Sequence, residues 1–240
     1  DIKKIKHVFV THIHLDHSGG AWRFAENGAK IYVHPNGMQH LIDPSKLIYS
    51  ASKIYKDKMK MLWGTIKNIK KENVQSVGHR EKIKVGSIIV ESLHTPGHAK
   101  HHIAWKIDKN IFTGDVAGAK IKSGPVLPAC PPPEVDIEKW IESLNLIKKE
   151  NPKVLYLTHF GKSTNVVSHI DEMKKRAKTK KWDGEIKKHF EKELSKLQRM
   201  NPQVSEYSVQ RNYLDLMLDL PWNEFSEDKF DLIKAKKILN

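Results

Sequence analysis

The chain has 240 residues, 39% of them hydrophobic and 29% charged, a balance that excludes a disordered chain; with no run of 18 apolar residues it also excludes a membrane-spanning helix. Lysine and arginine number 42 against 28 acidic residues, giving a formal charge of +14 that favours anionic partners or plain solubility and says nothing of the fold. The single cysteine, Cys130, rules out an internal disulfide framework and fits a reducing, cytoplasmic compartment.

In chain order, Asp1–Lys6 has neither an initiator Met nor the apolar core of a signal peptide and reads as a cut end. His7–Val10 is a short β-branched run, a buried strand whose C-terminal end delivers Thr11-His12-Ile13-His14-Leu15-Asp16-His17. A helix is expected near Ala21–Glu26 and a strand over Ala29–Val33. Ser45–Trp63 carries apolar residues at helical spacing up to Gly64. Val85–Leu93, His101–Ile107 and Ile111–Thr113 read as three strands, punctuated by Gly86, Pro96-Gly97 and Gly114. Pro125–Pro133 is expected to be an ordered loop or flap. Asp136 caps a helix whose apolar face is Ile137, Trp140, Ile141, Leu144 and Ile147. Val154–Leu157 is a last buried strand, ending in Thr158-His159. Strands alternating with helices predict an α/β layered domain over residues 1–170. Residues 171–240 show helical patterns only.

The 14 histidines are the sharpest anomaly. His12, His14, Asp16 and His17 crowd one turn after a strand, and four polar side chains packed there are costly unless a cation compensates. Imidazole with carboxylate suits zinc and related divalent metals without any thiolate. Three further candidates, His98, Asp115 and His159, stand at other strand ends, flanked by small residues that let the backbone turn sharply. His7, His34, His40, His79, His169 and His189 read as ordinary surface or core residues.

In their order these motifs resemble the metallo-β-lactamase superfamily, and the H-x-H-x-D-H form with a later Asp resembles its glyoxalase II and lactonase branch. The resemblance covers about residues 1–170 and implies a partial αββα sandwich whose front strands are missing, leaving strand edges and apolar surface exposed. It places His12, His14 and His98 at one metal and Asp16, His17 and His159 at a second, with Asp115 bridging. The cofactors it implies are two divalent ions, zinc first, with iron or manganese as alternatives. Asp16 and Asp115 take the catalytic part, holding the metals and orienting a hydroxide shared between them. His101 and His102 read either as groups behind the ligands or as rim residues, the rim being preferred.

The second half resembles another family. Glu206-Tyr207-Ser208-Val209-Gln210-Arg211-Asn212-Tyr213-Leu214-Asp215-Leu216, with Leu220-Pro221-Trp222 and His189-Phe190-Glu191-Lys192-Glu193-Leu194, is similar to the helical segment preceding the ATPase module of Lon proteases. Neither a phosphate-cradling G-x-x-x-x-G-K-[ST] nor a Ser-Lys proteolytic site accompanies it, so neither Lon activity is implied. The two resemblances meet near residues 168–175. Six of residues 174–181 are basic, read as a solvated helix face because no aromatic residue interleaves. The expected activity is hydrolysis of an ester, thioester or lactone. The expected partner is a small-molecule substrate, anionic in keeping with the charge, and neither a membrane nor a nucleic acid. The alternatives are a mononuclear iron sulfur dioxygenase of the same superfamily and a non-catalytic fragment carrying a Lon-like interaction segment.

Overall fold

The computed structural model describes residues 1–122, 124–129, 135–179, 184–197, 199–201, 204, 206–210 and 213–214, with backbone alone at 178–179 and 184–187. Among the described residues no helix is long and apolar enough to cross a membrane. The chain divides into two compact units, Asp1–Ala177 and Lys178–Asn240.

The first unit opens with β1 (His7–Phe9), α1 (Leu15–Ser18), α2 (Ala21–Glu26), β2 (Lys30–Val33), α3 (Pro35–Ile42), α4 (Ser45–Tyr55), α5 (Met59–Trp63) and β3 (Val74–Ser76). The three strands form a parallel sheet in the order β1-β2-β3, which requires the helical crossovers that separate them. Then come β4 (Lys82–Val85), β5 (Ile88–His94), β6 (Ile103–Ile107), β7 (Asn110–Gly114), β8 (Ala119–Lys120), β9 (Val126–Leu127), α6 (Ile137–Lys149), β10 (Val154–Leu157), β11 (Gly161–Ser163) and α7 (Val166–Thr179). A six-stranded sheet runs β11-β10-β7-β6-β5-β4, and β8 pairs only with β9.

Strand alternation explains the layers. On β2, Ile31 and Val33 face a core shared with Ala21, Ala25 and Leu41 of the helices, while Tyr32 faces the other sheet beside Ile103 and Trp105. On β6, Ala104 turns the opposite way, into a core with Trp140, Leu144 and Ile147 of α6 and Ile170 and Met173 of α7. Helices, sheet, sheet and helices therefore stack in that order, the αββα sandwich. The expected α6 face holds: Trp140, Leu144 and Ile147 are fully buried, and the Asp136 side chain accepts from the Lys139 N–H as the cap.

Several expectations need correcting. The single helix over Ser45–Trp63 is two, because Lys56 takes a φ of 47° and ends α4. The polar Lys56–Lys58 turn offers no apolar residue to hold a helix, and beyond it Trp63 packs edge-to-face on Tyr55 at 5.2 Å. Val85 belongs to β4 and pairs with Ile88 across a turn at Gly86, so Val85–Leu93 is a hairpin and not one strand. Within Pro125–Pro133, Val126 and Leu127 pair with β8; Cys130 and Pro131–Pro133 lie outside the described residues, as do Asp215, Leu216 and Leu220-Pro221-Trp222 of the Lon-like motif. Residues 168–175, where the two resemblances meet, lie in α7, whose Ile170, Met173 and Ala177 are buried; this neither supports nor overturns a junction there. On that helix Lys174 and Arg176 pair with Asp171 and Glu172. The expected apolar exposure is present as a groove of about 740 Å³ beside β1, where Phe112 and Tyr156 stack at 4.8 Å and stay 41% and 36% exposed.

In the second unit, α8 (Gly184–Leu197) carries Glu193, which accepts from Gln210 Nε2 at 3.0 Å, and His189, whose Nε2 lies 2.9 Å from the Tyr213 hydroxyl.

Gly97 shows why the Pro-Gly pair precedes His98. Its φ is +129°, and a Cβ there would lie 2.3 Å from the Trp140 Cα. Gly97→Ala is expected to cost at least about 1–3 kcal/mol through backbone strain alone, read as roughly 2–4 °C of melting temperature per kcal/mol. An unchanged melting temperature would contradict the close approach.

His34 supplies a pH test. It caps α3, with Nδ1 accepting from the Asn36 N–H at 3.0 Å, and protonation there would destroy the cap. Burial, then His94, holds it down from the ordinary 6.5 to about 4. Between pH 6.5 and 4 the unfolded chain takes up this proton and the folded chain does not, so His34's contribution is full above 6.5 and declines as pH falls toward 4. His34→Asn keeps a capping side chain and removes the titration. The drop in melting temperature from pH 7 to pH 5 should shrink in this variant, and an equal drop would show that His34 is not held neutral.

Candidate metal centre

The centre is built where the two sheets meet. Past β1 the backbone is tied to both, Val10 N–H donating to Tyr32 O at 2.9 Å and Ile103 N–H to Thr11 O at 2.7 Å, with Trp105 Nε1 donating to Val10 O. The chain then turns through His12, Ile13 and His14 into α1. Ser18 Oγ closes that turn on Ile13 O at 2.9 Å. From the other sheet, the turn after β5 brings His98, the end of β7 brings Asp115, and the end of β10 brings His159.

Among the described residues three sets of ligand atoms lie within 4.8 Å of one another: His12, His14 and His98; His12, His17 and Asp115; and Asp16, His17 and His159. All seven residues singled out in the sequence thus converge. His98 Nε2 is 3.2 Å from His12 Nε2 and 3.1 Å from His14 Nδ1. Nitrogens about 2.0–2.1 Å from a tetrahedral ion lie roughly 3.3 Å apart, so the spacing suits one shared cation. The His98 ring is held by Nδ1, which donates to Ala129 O at 2.8 Å and leaves Nε2 free as a ligand. Asp115 spans the sets. Its Oδ2 lies 3.5 Å from His98 Nε2 and 3.4 Å from His17 Nε2, and its Oδ1 lies 3.4 Å from His159 Nε2. Asp16 Oδ2 lies 3.2 Å from His17 Nε2 and 3.5 Å from His159 Nε2, at the more exposed mouth.

Two atoms test whether a cation fits. His17 Nε2 and Asp115 Oδ1 are buried and make no well-directed hydrogen bond, although ionisable groups stand 3.2–3.4 Å from each; a metal ion between them would satisfy both. Burial drives His12 well below the ordinary imidazole range, reinforced by its histidine neighbours, and takes His14 to about 4. Neutral imidazole is the form that ligates. At His17 burial also pulls down, but Asp115 and Asp16 outweigh it and carry the ring to about 9.

His101 and His102 are not at the rim. Both are buried, His102 completely, and burial pushes each far below the ordinary range. His102 Nε2 accepts from the Asp115 N–H at 3.2 Å, while its Nδ1 donates to Thr95 Oγ1 at 2.8 Å. Gly114 makes room for this ring: with φ +53°, a Cβ there would lie 2.5 Å from His102 Nε2. The signal in the sequence is a third histidine step, His98-Ala99-Lys100-His101-His102, beside a ligand motif.

The sequence profile of the Metallo-beta-lactamase superfamily matches residues 1–159, ending on the last of the converging histidines. The chain belongs to this superfamily. Among its relatives, the metallo-beta-lactamase fold-containing protein ST1585 of Sulfurisphaera tokodaii is 32% identical over 164 residues, 67% of this chain and 62% of that protein. The crystal structure of ST1585 superposes with a TM-score of 0.62 at 27% identity, covering 90% of this chain and 79% of that one. The metallo-beta-lactamase family protein TTHA1429 from Thermus thermophilus shares the fold, with a TM-score of 0.59 at 19% identity over 82% of this chain and 64% of that one. A separate likeness is to Lon protease of Flavobacterium johnsoniae, 62% identical over 71 residues, which are 30% of this chain and 9% of that protein.

Proposed function

We propose that residues 1–170 form a binuclear metallohydrolase of the glyoxalase II and lactonase kind, cleaving an ester, thioester or lactone, and that residues 171–240 are a Lon-like helical segment without catalysis of its own. The observation that carries the reading is the pair of converging ligand sets with Asp115 facing both. Divalent ions held there, zinc by the preference of imidazole and carboxylate, would lower the pKa of water to near neutrality and polarise a carbonyl. The residues supply the rest. Asp115 fixes the spacing of the two sets, and Asp16 and Asp115 offer acceptor oxygens that orient an attacking water. His98 keeps its ligating nitrogen bare through its bond to Ala129 O. No serine or cysteine nucleophile is required.

The test uses purified protein with its metal content measured by elemental analysis, which also separates zinc from iron or manganese. A generic thioester or lactone should be turned over faster than a β-lactam. Equal or preferential β-lactam turnover overturns the branch, and iron with oxygen-dependent sulfur oxidation overturns the hydrolase.

A further inference from the structure

Tyr55 ends α4 and Trp63 ends α5, and their rings meet edge-to-face at 5.2 Å. The chain is turned sharply at both sides of that contact, with φ of 47° at Lys56 and 61° at Gly64. Residues 56–62 therefore stand out from the two rings as a knuckle. Both rings line the cavity beside the metal ligands, whereas none of residues 56–62 does. The proposed chemistry makes no use of the knuckle.

Lys56, Lys58 and Lys60 are exposed, and Asp57 is the only acidic residue among the seven, so three lysines against one aspartate give a net charge of +2. No ion pair among the described residues engages any of the three lysines. Met61 is 75% exposed, more than any other large hydrophobic side chain among the described residues, and Leu62 beside it is 49% exposed. Two adjacent apolar side chains held in water gain by being covered.

The residues choose between the partners such a surface could meet. Lysine is depleted at the buried core of protein interfaces, which counts against a protein. A nucleic acid would answer the lysines but leave Met61 and Leu62 uncovered, because bases stack on aromatic rings. An anionic bilayer answers both at once: aliphatic side chains enter the headgroup boundary while the lysines keep their ammonium groups at the phosphates. We infer that the knuckle between α4 and α5 docks on an anionic lipid surface through Met61 and Leu62 with Lys56, Lys58 and Lys60. The expectation of no membrane partner rested on the lack of a spanning segment, and a peripheral contact needs none. The inference goes beyond the hydrolase reading and does not depend on it.

Co-sedimentation of the full chain with vesicles tests it, using phosphatidylglycerol mixed with phosphatidylcholine against phosphatidylcholine alone. The anionic vesicles should bind at least about tenfold tighter, an advantage that shrinks as salt rises. Total charge alone gives such a preference, so position decides. Lys58→Glu with Lys60→Glu should weaken binding at least about tenfold. Lys82→Glu with Lys84→Glu makes the same charge change at exposed positions of β4, on the edge of the six-stranded sheet, and should weaken it less than about threefold. Met61→Ser with Leu62→Ser leaves the charge untouched and should weaken binding about tenfold. Equal effects of the two lysine pairs, indifference to the serine pair, or equal binding to the two kinds of vesicle overturns the inference. Vesicle binding as expected by a chain that hydrolyses neither thioester nor lactone supports the docking and overturns the hydrolase alone; hydrolysis without preference for anionic vesicles does the reverse.

Discussion

Removing the imidazoles of His12 and His14 together is expected to empty the ion site they share with His98 and to lower hydrolysis by more than about 100-fold, since loss of even an outer hydrogen-bond partner of a ligand commonly costs 10–100-fold. Three nitrogens about one ligand spacing apart define that site, and a single remaining imidazole, His98, does not hold a divalent ion against water. Asp115→Ala reaches further. It removes the only side chain among the described residues whose oxygens face both histidine sets, so both ions should weaken and hydrolysis should fall by a comparable or larger factor. Elemental analysis after exhaustive dialysis reads both effects. The His12 and His14 double variant keeping the parent's metal content at parental stability would sink the assignment of that site.

The converging residues were readable because each lies at the end of a short apolar strand or in the turn or short helix that directly follows one, and the C-terminal ends of strands are where α/β folds gather polar groups. The α6 face was readable because Trp140, Leu144 and Ile147 repeat at helical spacing and all three bury. What escaped has a shared physical cause. β3 and β11 are three residues each and exist through pairing with β2 and β10, which no local pattern encodes. α3 opens Pro35-Asn36-Gly37, residues that read as a turn, yet Pro at the first helical position is favourable and Gly37 is where a Cβ would press on Ile13 and Val33. The bend at Lys56 escaped because apolar spacing continues across it. His101 and His102 were misplaced because burial at that position depends on the β6 and β7 ends closing over the turn from β1.

That misplacement yields the second large effect. His102 belongs to none of the ligand sets, though its ring lies 5.0 Å from that of His12 and 5.9 Å from that of His98; its Nε2 accepts the Asp115 N–H, and its tautomer is fixed from behind: with Nε2 accepting, Nδ1 must carry the proton it gives to Thr95 Oγ1. Thr95 is in turn tied to the same strand end, its N–H donating to His102 O at 3.0 Å. His102→Ala removes the acceptor and leaves a buried N–H unpaired beside Gly114, whose lack of a Cβ makes room for the ring. Asp115 would lose its backbone anchor while keeping its carboxylate, so metal affinity measured by chelator competition should fall about 10–100-fold. Thr95→Val, which keeps the shape and removes the acceptor of Nδ1–H, should lower affinity by less, because His102 can still reach Asp115. A residue needed only for packing would lower the melting temperature and leave chelator competition well below the melt unchanged. That outcome for His102→Ala would show that the Asp115 turn is held by the sheet, without help from the imidazole behind it.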